Sequence, residues 1–399
     1  MKAWYAAACL VLALCGCGGG SGGSTTSPSA SASGQVIPGA GAAGANVVQV
    51  TVDRGTDGSA LNAPFVTVTV CQPGTSSCID IDHVLVDTGS SGLRIAASAL
   101  ASGPALPGVT TAGRAVGECA HFASGFAWGS VRQADVRLGG STASGISIHV
   151  VDDPVAPFTA VPADCSATGR SIGAGRGSRG ILGVGLFDRD CGTACEVSTA
   201  PAVYFACDES GCTSIRVAVA SQVRNPVAAM PTDNNGVVLS LPAVPAGGAA
   251  GATGVMLLGV GTQANNQLGN ATVYATDSQG FFTTTYKGVT YPASFLDSGS
   301  NGLFFSDPSL PQCGDFYCPG ATLALSATNM SATGVSGTVT FTLDSIDLLA
   351  PNAGVANIGG DPGLARTFDW GLPFFLGRTV FVARAGAATP AGPGPYWAY

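Results

Sequence analysis

The sequence predicts an all-β protein built as two similar β lobes with a cleft between them and few short helices. Three observations predict it. A loop built around an aspartate occurs once in each half, as Val86-Asp87-Thr88-Gly89-Ser90-Ser91-Gly92-Leu93 and as Leu296-Asp297-Ser298-Gly299-Ser300-Asn301-Gly302-Leu303. The 399 residues include 58 Gly and 24 Pro, and only 10% are charged, which favours many short strands and turns over a helical bundle. Short β-branched runs punctuated by Gly, Pro, Asn and Asp recur along the chain.

Residues 1–17 read as a targeting segment. Lys2 supplies the charged start, and Ala6 to Leu14 form an apolar run too short to span a bilayer. Leu14-Cys15-Gly16-Cys17 resembles a bacterial lipoprotein box, which makes Cys17 the lipidated residue. Gly18 follows it where an Asp would suggest retention in the inner membrane. The resemblance implies a lipid anchor in the bacterial cell envelope, facing the periplasm or the outside, with the outer membrane preferred. Residues 18–46 are Gly, Ser, Ala and Thr with almost no charge, a flexible tether.

The body divides into an N-terminal β lobe, 47–225, and a C-terminal β lobe, 226–385, followed by a tail at 386–399. Strands are expected at Val47–Val52, Pro64–Cys71, His83–Val86, Val131–Leu138, Ile146–Val151, Gly180–Val184 and Arg216–Ala220 in the first lobe. In the second they are expected at Val237–Leu241, Val255–Leu258, Gly280–Thr285, Val335–Leu343 and Thr379–Ala383. Helical signal is confined to Ala96–Ala101, Pro201–Phe205 and Asp307–Leu310. The segment Asn225 to Asn235 reads as the crossing between lobes. Each aspartate loop is followed by an apolar-Gly element: Ile181-Leu182-Gly183 in the first half and Phe375-Leu376-Gly377 in the second. Glycine there lets a strand pass close beneath the loop.

Setting aside Cys9, Cys15 and Cys17, ten cysteines remain, an even number that in an exported chain reads as five disulfides. Close spacing suggests Cys71–Cys78, Cys191–Cys195, Cys207–Cys212 and Cys313–Cys318, which leaves Cys119 with Cys165. A metal site is not expected: there are only three histidines, none beside a paired-cysteine motif. His83 reads as a strand histidine satisfied by its neighbours, and His121 and His149 have no evident partner. The net charge of −8, with Lys2 and Lys287 the only lysines, gives no basic patch for nucleic acid.

Two carboxylates brought to one point cannot both ionise readily, so the pair holds one proton across the acid-to-neutral range. Such a pair can activate a water for attack on a carbonyl and needs neither a metal nor a cofactor. Gly89 and Gly299 leave room for backbone amides beside the carboxyls. Ser90 and Ser300 can donate to their outer oxygens, which favours the ionised form and suggests an acid-leaning optimum.

These motifs resemble the pepsin-like family of bilobal aspartic peptidases. Asp87-Thr88-Gly89-Ser90 and Asp297-Ser298-Gly299-Ser300 match its two catalytic loops, and the segment from Phe122 to Gly140 resembles its hairpin flap. The resemblance covers roughly residues 47–385. It implies an aspartic endopeptidase, monomeric, that holds an extended peptide or unfolded protein in the cleft. Asp87 and Asp297 would be the dyad, and Thr88 and Ser298 would cross-link the loops. The family's flap tyrosine falls here at Phe122 or Ala123, and its tryptophan partner at Arg94, so Phe122 and Trp128 are the candidates to cover the cleft. The missing hydroxyl keeps a second expectation open: a peptide-binding surface lipoprotein of the same fold with little or no turnover.

Overall fold

A computed structural model of the protein describes residues 44–348, 352–361 and 363–399. The expected signal segment, Cys17 and most of the tether lie outside the described residues. The described chain is almost entirely β.

Alternation sets the first strand. In Val47–Val52 the side chains of Val48, Val50 and Val52 are buried, while Gln49 and Thr51 face solvent. This strand pairs along its whole length with Ala252–Leu258 of the second half, and only at Thr51 and Val52 with Pro64–Cys71 of the first. The sheet continues from Ala252–Leu258 through Gly236–Ser240 and Thr379–Ala383 to Tyr396–Ala398 and Val273–Ala275. Strands from both halves therefore share one sheet. The segment read as a tail supplies one of them, and Tyr396 and Trp397 are buried there.

The first lobe is made by Pro64–Cys71, Cys78–Asp87, Ser91–Ala96, Arg114–Phe122, Gly125–Leu138, Ser141–Val151 and Gly180–Val184. Gly125–Leu138 pairs with Ser141–Val151 and also returns to Pro64–Cys71, which closes the sheet on itself. The second lobe is a seven-stranded sheet. Its core is aromatic: Phe305 stacks on Phe368 at 4.5 Å between ring centroids, and Phe368 on Trp370 at 4.4 Å. Such pairs add about 0.5–1.5 kcal/mol each beyond their burial.

The two lobes repeat one motif. In the first, Val84–Asp87 runs parallel to Gly180–Gly183, and Gly180–Val184 runs antiparallel to Ser91–Ile95. In the second, Ala293–Leu296 runs parallel to Thr367–Trp370, whose last two residues pair antiparallel with Leu303–Phe304. The strand beneath the second loop is thus Thr367–Trp370 followed by Gly371, not the expected Phe375-Leu376-Gly377. Pro373 sits in the first turn of a buried helical turn, Leu372–Phe375, where its missing N–H costs nothing. The chain then leaves for the shared sheet as Thr379–Ala383.

Four local expectations are also corrected. Pro201–Phe205 is not helical, because Tyr204–Asp208 pairs with Arg114–Phe122 as a strand. Arg216–Ala220 finds no strand partner and ends in a 3-10 turn at Val219–Ser221. Asp307–Leu310 is a turn closed by Leu310 N–H donating to the Asp307 carbonyl, and Ala97–Leu100 is a single 3-10 turn. All five disulfides form as spaced: Cys71–Cys78, Cys119–Cys165, Cys191–Cys195, Cys207–Cys212 and Cys313–Cys318.

Candidate active site

Each aspartate stands where a buried strand ends. Val84 and Val86 are buried on the way to Asp87, and Leu296 on the way to Asp297. The strand beneath each loop must come close. A Cβ on Gly183 would stand 2.8 Å from Ser90 Oγ and the Ser91 backbone, and one on Gly371 would stand 2.6 Å from the Ser300 carbonyl. Only glycine fits either position.

The loops are cross-bonded. Thr88 Oγ1 donates to the Leu296 carbonyl at 2.9 Å, and Ser298 Oγ donates to the Val86 carbonyl at 2.7 Å. The Ser298 amide donates back to Thr88 Oγ1 at 2.9 Å, and the Thr88 amide to Ser298 Oγ at 3.1 Å. All four bonds are buried, so they are held in a low-dielectric setting and are costly to break.

This clamp brings the carboxyls together. The amide of Gly89 donates to Asp87 Oδ1 at 2.8 Å, and that of Gly299 to Asp297 Oδ1 at 2.8 Å. Ser90 Oγ donates to Asp87 Oδ2, and Ser300 Oγ lies 2.9 Å from Asp297 Oδ2. Each carboxyl also reaches over the opposite loop. A Cβ on Gly89 would stand 2.8 Å from both Asp297 oxygens, and one on Gly299 would stand 2.8 Å from Asp87 Oδ1. Burial, then the Asp87 charge, then that of Asp369 push the Asp297 carboxyl well above the usual carboxylate range.

Asp369 is a third carboxyl that the sequence reading passed over. Its Oδ2 lies 2.6 Å from Ser300 Oγ, and its Oδ1 has no hydrogen-bond partner. The residue is 7% exposed, and burial pushes its carboxyl up to about 8 against the hydrogen bond from Ser300. The available signal was a lone aspartate in the apolar run Phe368-Asp369-Trp370-Gly371.

Around the hairpin the expectations divide. Phe122 closes the turn opposite Gly125, half-buried, with the Arg94 guanidinium 5.5 Å from its ring centroid. Trp128 is 3% exposed; it donates from Nε1 to the Phe158 carbonyl at 2.9 Å and packs edge-on against Phe205. It therefore belongs to a satellite core with the Cys119–Cys165 bridge, not to a cover over the aspartates.

Arg94, where the resemblance leads one to expect tryptophan, opens a buried ionic network. Its Nη2 lies 2.8 Å from Glu118 Oε1 and 3.6 Å from Asp190 Oδ2. His149 Nδ1 lies 3.1 Å from Glu118 Oε2, and Tyr204 donates to Asp190 at 2.7 Å. Burial, then the Arg94 charge, pushes His149 well below its usual range, so the imidazole is neutral. Burial, then Glu118, pushes Asp190 well above its usual range. His83, by contrast, is satisfied at the surface by Asp82 and Asp53.

A cavity of about 540 Å³ in the second lobe, lined by residues including Leu325, Phe341, Trp370, Phe374 and Arg378, includes neither aspartate.

The fold and site define an all-β protein with two equivalent aspartate loops clamped to one another. The chain belongs to the family described as "Protein of unknown function (DUF3443)", whose model matches residues 42–399. No curated protein matches the chain. A solved structure similar to it is the crystal structure of aspartic proteinase from Irpex lacteus, at 15% identity and a TM-score of 0.46, covering 88% of this chain and 96% of that one.

Proposed function

We propose that the protein is a pepsin-like aspartic endopeptidase, exported and anchored to the bacterial cell envelope by lipid on Cys17, acting as a monomer on extended peptide or unfolded protein. One observation supports the peptidase reading most directly: the clamp that holds Asp87 and Asp297 against each other's loop while burial and the neighbouring charge keep a proton in the pair. The ionised aspartate takes a proton from a water as the water oxygen bonds to the peptide carbonyl carbon. The protonated aspartate gives its proton to the carbonyl oxygen, leaving a tetrahedral diol. Return of one diol proton to the dyad, and delivery of the other aspartate's proton to the nitrogen, breaks the C–N bond and restores the pair.

The second reading, a peptide-binding protein with little turnover, draws on Phe122. The hairpin offers a ring held against Arg94 where the family has a hydroxyl. One assay separates the two. The purified full chain is incubated with denatured protein from acid to neutral pH, with and without a statine-type inhibitor. The peptidase reading expects cleavage that the inhibitor and Asp87→Asn each abolish. Peptide binding without cleavage by the wild type sinks it in favour of the second reading.

A further inference from the structure

The two lobes repeat one motif, and they differ at one position that touches the dyad. Strand register places Asp369 of the second lobe where Ile181 stands in the first. Ile181 lies two residues before Gly183 and pairs with Leu85, and Asp369 lies two residues before Gly371 and pairs with Phe295. In the first lobe, Ser90 therefore serves one carboxyl, Asp87. In the second, Ser300 stands between two, 2.9 Å from Asp297 Oδ2 and 2.6 Å from Asp369 Oδ2.

A serine hydroxyl carries one proton and can donate only once. The series Asp297–Ser300–Asp369 has two contacts of hydrogen-bond length and one serine proton to fill them. The second contact must be filled by a proton on one of the two carboxyls. The Asp87–Ser90 contact needs none. Burial points the same way: Asp369 Oδ1 has no partner, no cationic side chain forms an ion pair with Asp369 among the described residues, and an uncompensated buried carboxylate is costly. The titratable groups acting on Asp369 are Asp297 through Ser300 and Asp87 from the opposing loop, both acidic.

We propose that Asp369 is a positioning residue of the dyad: through Ser300 it keeps the resting proton on Asp297 and extends activity toward neutral pH. As pH rises and Asp369 ionises, its carboxylate takes the Ser300 hydrogen bond. Asp297 then loses a donor that favoured its ionised form and gains a like charge beside it, and both changes hold its proton in place. Asp297 is accordingly the member that protonates the carbonyl oxygen, and Asp87 the member that deprotonates water. The kinetic part of this rests on the peptidase reading; the proton linkage does not.

The test uses two substitutions in the full chain. Asp369→Asn keeps the shape and still donates to Ser300, and Asp369→Ile installs what the first lobe has. Both are compared with wild type by the pH profile of kcat/KM on denatured protein and by carboxyl-carbon NMR titration of Asp297. The expected result is that both variants keep acid-side turnover within about threefold, while the alkaline limb and the Asp297 midpoint each fall by about one pH unit, the size of one like-charge neighbour. Retained folding with an unmoved Asp297 midpoint in both variants overturns the proposal, as does a uniform loss of kcat with no shift of the limb. A chain with no cleavage at any pH, whose Asp297 midpoint nonetheless falls in both variants, overturns the peptidase reading and upholds the linkage.

Discussion

Thr88 and Ser298 exchange the same two bonds in opposite directions. Each hydroxyl accepts the other residue's amide, and each donates to the carbonyl that precedes the opposite aspartate. The pairing makes neither loop independent of the other.

Removing one hydroxyl therefore strands groups on both sides. Ser298→Ala leaves the Thr88 amide without its partner and strips a donor from the Val86 carbonyl, both in a buried site. An unsatisfied buried polar group costs about 1–3 kcal/mol, so the variant is expected to lose roughly 2–5 kcal/mol. Thr88→Ser keeps the hydroxyl and is expected to lose less than about 1 kcal/mol. Urea unfolding checks this: the midpoint should drop at unchanged slope for Ser298→Ala. Equal midpoints for the two variants would remove the clamp from the account.

The Arg94 network is a liability as well as a tie. Arg94 neutralises the fully buried Glu118 and lies 3.6 Å from Asp190. Arg94→Leu leaves Glu118 uncompensated, a loss of about 3–5 kcal/mol at neutral pH. Urea midpoints of the variant and wild type at pH 7 read that loss. A deficit below about 1 kcal/mol would mean that packing on Phe122, not charge, is what Arg94 contributes.

Two carboxyls give stability opposite pH signatures. Asp369 is pushed up to about 8 from 3.8, so the folded chain binds the extra proton and stability falls as pH rises from about 4 to 8. Asp307 is held down to about 2 by Ser309, Lys287 and Tyr286 although burial opposes them, so its contribution is present above about 4 and lost as pH falls to 2. The Tm of Asp369→Asn should gain on wild type steadily from pH 4 to 8. The Tm deficit of Asp307→Asn should vanish toward pH 2. Differential scanning calorimetry at fixed ionic strength reads both, and parallel Tm curves for Asp369→Asn and wild type would contradict the first.

What was legible in the sequence was what is written locally. Asp87-Thr88-Gly89-Ser90 and its counterpart specify a loop within a few residues, and four of the five disulfides close loops of seven residues or fewer. Short β-branched runs marked Val47–Val52 and Pro64–Cys71 at their full length. The misreadings share a cause. Phe375-Leu376-Gly377 has the apolar-Gly look of a strand beneath a loop, yet pairing is decided across dozens of residues, and the register chose the strand that carries Asp369. Glu118, His149 and Asp190 meet Arg94 only through the closed sheet of the first lobe, so no spacing announced them. Trp128 was placed over the cleft by its position in a hairpin, but a strand's two faces look alike until the Cys119–Cys165 bridge shows which one is covered.

The displaced glycine offers a direct check on that register. If Gly371 lies under the second loop, a methyl group there collides with the Gly302 and Ser300 carbonyls, both backbone atoms that cannot yield without moving Asp297. Gly377 has φ +82°, and its added Cβ would stand 3.1 Å from the Ala243 Cβ, away from either aspartate. Gly377→Ala is therefore expected to cost about 1 kcal/mol of backbone strain with the dyad intact. Gly371→Ala is expected to lower kcat at least tenfold, because a displacement near 1 Å at the reacting groups is enough to do so. Gly183→Ala, its counterpart under Asp87, should behave the same way. Assaying the three variants side by side, with stability measured on each, assigns the strand: activity lost at position 377 and kept at 371 would return the motif to Phe375-Leu376-Gly377.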